Sequence, residues 1–342
     1  MTPALNFYNK KKQMVRQFFQ VLILLAGTML LAFVFFYFWA QQEVKKEKLQ
    51  VIQHPINFTE KDDSIIEIMT YNVGYLSGMN NNLALKSPEE LYTQNLEKLI
   101  KQISKLPVNI IAFQEIDYGS HRSFQIDQHD AIASQFFPYS LKAINWDKRF
   151  VPFPYWPPSV HFGKMLSGQS TMSSWEISKP ERVVLKKVAT NPFYYNAFYL
   201  DRLAVSVLVH HPQLDFWVIN VHTEAFDQAT RKQQIRTIHE IYKQKNKDYP
   251  VILMGDFNSS PDFDEAAINI LLNDSTLGCA AFNQTNKNYG NTFSSEKPVE
   301  RLDYIFYSKI DFIEVESRIL NEFGEISDHL PVYAKLSLCS KK

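Results

Sequence analysis

The sequence predicts an α/β domain over residues 64–342, carried behind one membrane-spanning helix. Three observations lead to that reading. Apolar strand-like runs alternate with segments of helical periodicity from Ile65 onward. Twenty consecutive uncharged residues run from Val21 to Ala40. The strand-like runs also end, one after another, in short clusters of carboxylates, carboxamides and imidazoles.

Residues 1–20 form a basic segment with Lys10, Lys11, Lys12 and Arg16. A helix over Val21–Ala40 would span ~30 Å, the thickness of the hydrocarbon layer, and Tyr37 and Trp39 suit its interfacial belt. A cleaved secretory signal has a shorter apolar region, ~7–15 residues, and ends in a small-x-small site. Here Phe38 occupies the first of those small positions before Ala40, so the run is read as an uncleaved anchor rather than a signal or a buried core helix. Four bases and no acids precede it, and three bases with two acids follow by residue 50. The positive-inside rule then gives a cytoplasmic N-terminus and a body on the outer, periplasmic or extracellular, face. Residues 41–63 read as a polar linker, taken as flexible coil.

In the body, Ile65–Val73 reads as a strand entering the core. Ser87-Pro88-Glu89-Glu90 is a helix start, with Ser as cap and Pro at the first helical position. Leu96, Leu99, Ile100, Ile103 and Leu106 continue it until Pro107. Asn109–Ile116 is a continuous apolar strand, and Leu203–Val209 pairs with Phe216–Val221 around His210-His211-Pro212-Gln213. Thr230–Gln244 is helical, with Ile235, Ile238 and Tyr242 on one face. Val251–Met254, Leu302–Tyr307 and Val332–Leu338 are further strands.

Composition narrows the function. Hydrophobic residues at 45% supply a core and exclude a disordered or collagen-like chain. Cys279 and Cys339 are too few for a disulfide framework or a cysteine-rich zinc site; one bond between them is compatible with the sequence, though nothing in the spacing favours it. Net charge is zero overall, but residues 1–50 hold seven bases and two acids, leaving 29 bases against 34 acids in the rest. That balance disfavours a general polyanion binder, whose affinity comes from neutralising phosphates.

The polar clusters are Tyr71-Asn72, Gln114-Glu115, Asn220-Val221-His222, Gly255-Asp256-Phe257-Asn258, Arg301-Leu302-Asp303 and Ser327-Asp328-His329. Strand ends are where an α/β sheet gathers ligand-binding side chains. Oxygen-rich donors suit a hard divalent cation such as magnesium, which keeps several waters and needs few carboxylates, and Asn72 with Glu115 fit that thin set. Zinc fits less well because no close His/Cys pair occurs. Each cluster also has a structural reading: Asp and Asn form Asx-turns readily, Glu115 could pair with a lysine, and His222 could be a core histidine.

The order of the motifs is more specific than any one of them. MTYNVGY, FQEID, INVHTEAFD, VILMGDFNSSP, RLDYIFYS and SDHLPVYAKL, spread from Met69 to Leu336, resemble the endonuclease/exonuclease/phosphatase superfamily. That superfamily includes pancreatic-type deoxyribonucleases, abasic-site endonucleases, bacterial sphingomyelinases and inositol polyphosphate 5-phosphatases. The resemblance implies a deoxyribonuclease-I-like four-layer sandwich, two mixed β-sheets flanked by helices, and hydrolysis of a phosphate ester assisted by magnesium, with manganese as the alternative. It implies that Asn72 and Glu115 hold the metal with Asp328 beside them. Asp256 and Asn258 would orient the attacking water and a phosphoryl oxygen, and His329, held by Asp303, would contact the phosphate or assist proton transfer. His222 would protonate or stabilise the leaving oxygen, with Asn220 alongside, and Arg202 matches a phosphate contact, the alternative being a surface salt bridge to Asp201.

The sequence also departs from the family. Asp117 stands where pancreatic-type deoxyribonucleases carry a DNA-contacting Arg, and Gly168–Ile177 lacks the Arg that relatives often have there. The aromatic segment Phe136–Lys164 is read either as a long loop packed onto the core or as a substrate- or membrane-facing loop in which His161, Lys164 and Arg122 meet a head group. The leading expectation is an anchored metal-dependent phosphoesterase acting on a lipid head group or small phosphorylated molecule, with no obligate protein partner. The alternatives are an anchored nuclease, which would need a basic groove, and an inactive binding protein, against which the intact polar set argues.

Overall fold

The computed structural model of the chain describes residues 3–56, 64–81, 83–283 and 290–339. Helix α1 (Pro3–Ala40) runs unbroken, and over Phe7–Ala40 it is long and apolar enough to cross a membrane. Then come β1 (Leu49–Gln53), β2 (Ile65–Asn72), α2 (Glu89–Ile103), β3 (Ile110–Asp117), α3 (Gln128–Phe136) and β4 (Tyr139–Val151). β5 (Gly163–Ser173), β6 (Ile177–Val184), α4 (Phe193–Phe198), β7 (Leu203–Val209) and β8 (Phe216–His222) follow. The chain continues through α5 (Gln228–Lys245), β9 (Val251–Asp256), α6 (Asn269–Leu272), β10 (Leu277–Cys279), β11 (Asp303–Ser308), β12 (Phe312–Ile319) and β13 (Val332–Leu338).

The strands form two mixed sheets, in the orders β1-β4-β5-β3-β2-β13-β12 and β10-β11-β9-β8-β7-β6. Each contains one parallel pair, β2 with β3 and β8 with β9, and each pair is joined by a long amphipathic helix, α2 or α5. Ile68, Ala112, Val207, Val218, Ile252 and Ala334 belong to the core between the sheets. Leu99 and Ile103 of α2 pack with Ile111 and Phe113 on the outside of the first sheet, and Ile235 and Ile238 of α5 pack with Ile219 and Leu253 on the outside of the second. The result is the four-layer sandwich, helix–sheet–sheet–helix. The ends of β2, β3, β8 and β9, and the starts of their antiparallel partners β11 and β13, carry all six polar clusters.

Three local expectations are corrected. Residues 41–63 are not coil throughout: β1 pairs with β4 as the edge of the first sheet. The buried Asp147 carboxylate also takes the backbone amides of Val44 (3.0 Å) and Lys45 (2.7 Å) and the Lys48 ammonium (2.9 Å). A partnerless carboxylate in β4 thus recruits the segment that local sequence leaves polar. Residues 57–63 of the expected linker lie outside the described residues. Ser87 does not cap α2, because Pro88 occupies the cap position in extended conformation and Ser87 Oγ instead accepts from Asn80 (3.3 Å). Finally, the aromatic segment 136–164 is half strand: β4 takes Tyr139–Val151, and the shorter stretch to Phe162 is the loop.

These contacts set where a stable soluble body begins. Breaking a buried ion pair leaves a charge without compensation at a cost of about 3 kcal/mol. A body starting at Gln41 should therefore unfold at distinctly higher urea than one starting at Val51, which loses Lys48 and half of β1. Equal midpoints would show that the Asp147 contacts add nothing.

Candidate active site

Parallel strands deliver their last residues to the same edge, and the two sheets present those edges side by side. Asn72 ends β2, Glu115 lies near the end of β3, His222 ends β8 and Asp256 ends β9. Asp303 opens β11 opposite Asp256 in register, and Ser327-Asp328-His329 precedes β13. Glu115 (φ +50°) and Asn258 (φ +46°) hold left-handed backbone that costs a non-glycine residue about 1 kcal/mol or more. Gly255 lies where β8 and β9 approach so closely that a Cβ would stand 2.0 Å from the Val221 carbonyl oxygen.

The centre is a charged dyad. His329 Nδ1 donates to Asp303 Oδ2 at 2.8 Å, and its Nε2 lies 3.9 Å from Asp256 Oδ2. Burial pushes the His329 imidazole down, but the Asp303 carboxylate outweighs it and raises its pKa well above the ordinary 6.5, so the ring is cationic at neutral pH. Asp256 accepts from Asn72 Nδ2 (2.9 Å) and from the backbone amide of Asn258 (2.8 Å), yet burial and the nearby Asp303 charge raise its carboxyl above the usual range. His222 behaves oppositely. Its Nε2 accepts from Arg202 Nη1, and burial together with that guanidinium holds the imidazole well below 6.5. One histidine is thus a cation and the other neutral, 3.5 Å from the same Asp256 oxygen.

Beside the dyad, a second carboxylate, Asp328, comes close to Glu115. The amide nitrogen of Asn81 bonds Glu115 Oε2 at 3.0 Å and both Asp328 oxygens at 3.3 Å. Burial and the Asp328 charge raise the Glu115 carboxyl. Two carboxylates sharing one neutral amide are short of positive charge, and an all-oxygen set of Glu115, Asp328 and Asn72 Oδ1 fits a hard divalent cation. Asn72 Oδ1 already accepts from the Gly74 amide (3.1 Å), which orients it and leaves a lone pair. Asp256, Asp303 and His329 also place ligand atoms within 4.8 Å of one another, but there the Asp303 carboxylate is engaged by His329.

These groups line the floor of a cavity of about 360 Å³. Trp146, Val151, Phe153, Tyr155, Phe162, Phe198, Tyr199 and Leu200 wall it, so it is polar at the bottom and aromatic at the sides. Asn72, Glu115, Arg202, His222, Asp256, Asn258, Asp328 and His329 all reach it. Arg202 does not pair with Asp201, which is taken by Arg182 and Lys187; it is buried against His222 and the Tyr199 hydroxyl (2.9 Å).

Four candidate residues do not line this cavity: Asp303, which stands behind His329, and three that lie elsewhere. Asn220 is sealed between the sheets, accepting from Gln114 (2.7 Å) and Gln169 (3.1 Å) and donating to the carbonyls of Phe113 and Ser170 (3.0 Å each). It is a cross-sheet clamp rather than a substrate contact. Arg122 bonds the buried Asp117 at 3.2 Å and lies over the Tyr75 ring, lining a neighbouring cavity; Asp117 is therefore this arginine's internal counter-ion and does not face a groove. His161 lies in that neighbouring cavity too, on the exposed loop after β4. Trp146, Phe153, Tyr155 and Phe162 come from the aromatic segment that the sequence offers as substrate-facing, whereas Asn81 and the α4-side walls Phe198, Tyr199 and Leu200 have no place in the sequence motifs. The only local trace of Asn81 is the Asn80-Asn81-Asn82 run, which reads as an ordinary loop.

A model of the endonuclease/exonuclease/phosphatase family matches residues 69–329. No curated protein matches the sequence. Among solved structures, an endonuclease/exonuclease/phosphatase from Beutenbergia cavernae superimposes with a TM-score of 0.56 at 20% identity, covering 80% of this chain and 72% of that one. A mannosyl-6-phosphatase from Bacteroides thetaiotaomicron gives 0.55 at 16% identity (80% and 99% covered). D. rerio TDP2 complexed with a single-strand DNA product gives 0.55 at 15% (80% and 100% covered). At these identities the likeness is one of fold.

The dyad makes a signed prediction. The carboxylate of Asp303 is what keeps His329 charged, so Asp303→Asn should drop the His329 titration, read by nitrogen NMR of the imidazole, to or below 6.5. The stability that the pair contributes is fully present below that ordinary value and is lost as pH rises through the raised folded value. An unchanged titration would refute the dyad.

Proposed function

The chain belongs to the endonuclease/exonuclease/phosphatase family, and from that premise we propose that it is a magnesium-dependent phosphoester hydrolase acting on a lipid head group or a small phosphorylated molecule. The observation that carries the reading is the Asp303–His329–Asp256 arrangement facing a second pair of carboxylates across one cavity floor. Asp256, its carboxyl raised towards neutrality, is suited to take the proton of a water attacking phosphorus, because a base works best when its pKa lies near the operating pH. The cationic His329 presents Nε2–H to a phosphoryl oxygen, while Asn258 Nδ2 donates to Asp256 Oδ2 (3.3 Å) and holds that base in place. As the water oxygen–phosphorus bond forms and the ester bond breaks, Arg202, oriented by His222 and Tyr199, meets the charge left on the departing group. Glu115, Asp328 and Asn72 would hold the divalent cation, whose chemistry is neutralisation of phosphate charge.

The aromatic walls and the commitment of Arg122 to Asp117 favour an amphiphilic or small ester over a polynucleotide, whose binding needs a basic track as well as stacking rings. The same reading keeps α1 as an uncleaved anchor with its basic N-terminus in the cytoplasm and the body on the outer face.

Asp256→Asn and His329→Ala should each lower turnover of bis(p-nitrophenyl) phosphate by ~10²–10⁴ with unchanged circular dichroism. Near-normal rates in both would sink the assignment. Glu115→Gln should raise the magnesium concentration for half-maximal rate, since a neutral amide is a weaker ligand. Undiminished activity in excess chelator would remove the metal.

A further inference from the structure

The anchor does not leave the domain through a loose hinge. Tyr37, in the last turn of α1, packs edge-on against Phe198 and Phe193, with ring centroids 5.8 and 6.1 Å away, and Phe36 meets Phe150 at 5.8 Å. Past the helix, Lys148 Nζ donates to the Gln41 carbonyl (3.1 Å) and the Arg149 amide to the Gln42 carbonyl (3.0 Å). With the Asp147 bonds to Val44 and Lys45, the helix end is fastened to β4 residue after residue. A severed signal would leave Phe150, Phe193 and Phe198 stripped of these partners.

That joint also fixes a depth. Tyr at the end of a spanning helix lies at the level of the lipid head groups. Phe198 is one ring away from Tyr37 and is itself a wall of the active-site cavity; Trp146, another wall, donates Nε1–H to the Phe198 carbonyl at 2.8 Å. Nearby, Phe193 is 76% exposed and Trp156, on the loop that covers the cavity with Tyr155, is 79% exposed. Large rings left bare beside a membrane helix suit the interfacial layer, where an aromatic body is buried and its polar edge stays wet.

We propose that the docked anchor holds the cavity mouth at head-group depth on its own membrane, with Trp156 and Phe193 as part of an interfacial rim, so that the substrate is a phosphorylated lipid taken from that bilayer. The substrate clause rests on the phosphoesterase reading above; the docking clause does not. Occupancy by the bilayer follows from continuity with α1, which shares rings with this face.

The test uses the full chain in vesicles of equal parts phosphatidylethanolamine, phosphatidylglycerol and phosphatidic acid, which offer both diesters and a monoester. Nitroxide labels are attached to Trp156→Cys, to Phe193→Cys and, at the far end of β11 from Asp303, to Ile310→Cys, with Cys279 and Cys339 changed to Ser. The first two labels should collide more with oxygen than with a water-soluble nickel chelate, and the third should do the reverse. Water-like behaviour at both 156 and 193 overturns the docking. In parallel, the double variant Trp156→Glu/Phe193→Glu should lose about tenfold or more in hydrolysis of the vesicle lipids, the scale of one buried ring, and keep its rate on bis(p-nitrophenyl) phosphate. Wild-type hydrolysis of the soluble ester without any hydrolysis of the three lipids overturns the lipid substrate. Inactivity on every ester would instead strike the phosphoesterase reading, leaving the labels to decide the docking.

Discussion

Everything at the active edge depends on how the two sheets are held in register, and one carboxamide does most of that. Asn220 accepts from Gln114 of β3 and Gln169 of β5 and donates to two carbonyls of the opposite sheet. A hydrophobic interface is tolerant of small slides because burial is non-directional. Buried hydrogen bonds are not tolerant, since a lost partner costs about 1–3 kcal/mol. Two residues further along β8, His222 therefore emerges at a fixed offset from Glu115, 3.7 Å between Nε2 and Oε1. The apolar core makes the sandwich, and this polar seam decides which face of one sheet meets which face of the other.

The floor so assembled is rich in like charge. Glu115, Asp256, Asp303 and Asp328 approach one another with two buried cations, Arg202 and His329, among them. Burial alone would neutralise these acids, and the upward displacement of Glu115 and Asp256 shows the pressure to do so. The arrangement divides the labour. Asp303 keeps His329 charged, burial and Arg202 keep His222 neutral, and the Glu115–Asp328 pair remains the part still short of positive charge. The left-handed backbone at Asn258 is tolerated because its amide and side chain are held by Asp256 and the Thr223 carbonyl.

The aromatic side of the cavity answers to a different constraint. Tyr199 stacks on Tyr195 in and after α4, Phe153 and Phe162 pack edge-on, and Trp146 ties the layer to α4. The same layer receives the end of α1. The cavity and the apolar helix α1 therefore share one set of rings.

Local pattern was enough for much of this. The 3.6-residue spacing of Ile235, Ile238 and Tyr242 marks α5, the apolar runs mark β2, β3, β7, β8 and β9, and an uncharged run of twenty marks α1, because each of these is set by neighbours along the chain. The ordered motifs placed Asn72, Glu115, His222, Asp256, Asn258, Asp303, Asp328 and His329 at strand ends, and those ends do meet. Pairing across the chain decided the rest. β1 forms because β4, far along the chain, offers it a pairing edge, with Asp147 of β4 fastening the residues just before it. β5 reads as the polar string GKMLSGQSTMS, yet it is buried because its backbone pairs with β3 and β4 while Gln169 reaches Asn220 of β8 and Ser170 meets His129 of α3. Asn220 looked like a substrate ligand and is a clamp; Arg122 looked like a free cation and is paired; Asn81 carried no signal at all. A residue type states which bonds it can make, but burial and the partner within 3 Å decide which it does make, and both are properties of the assembled sheets.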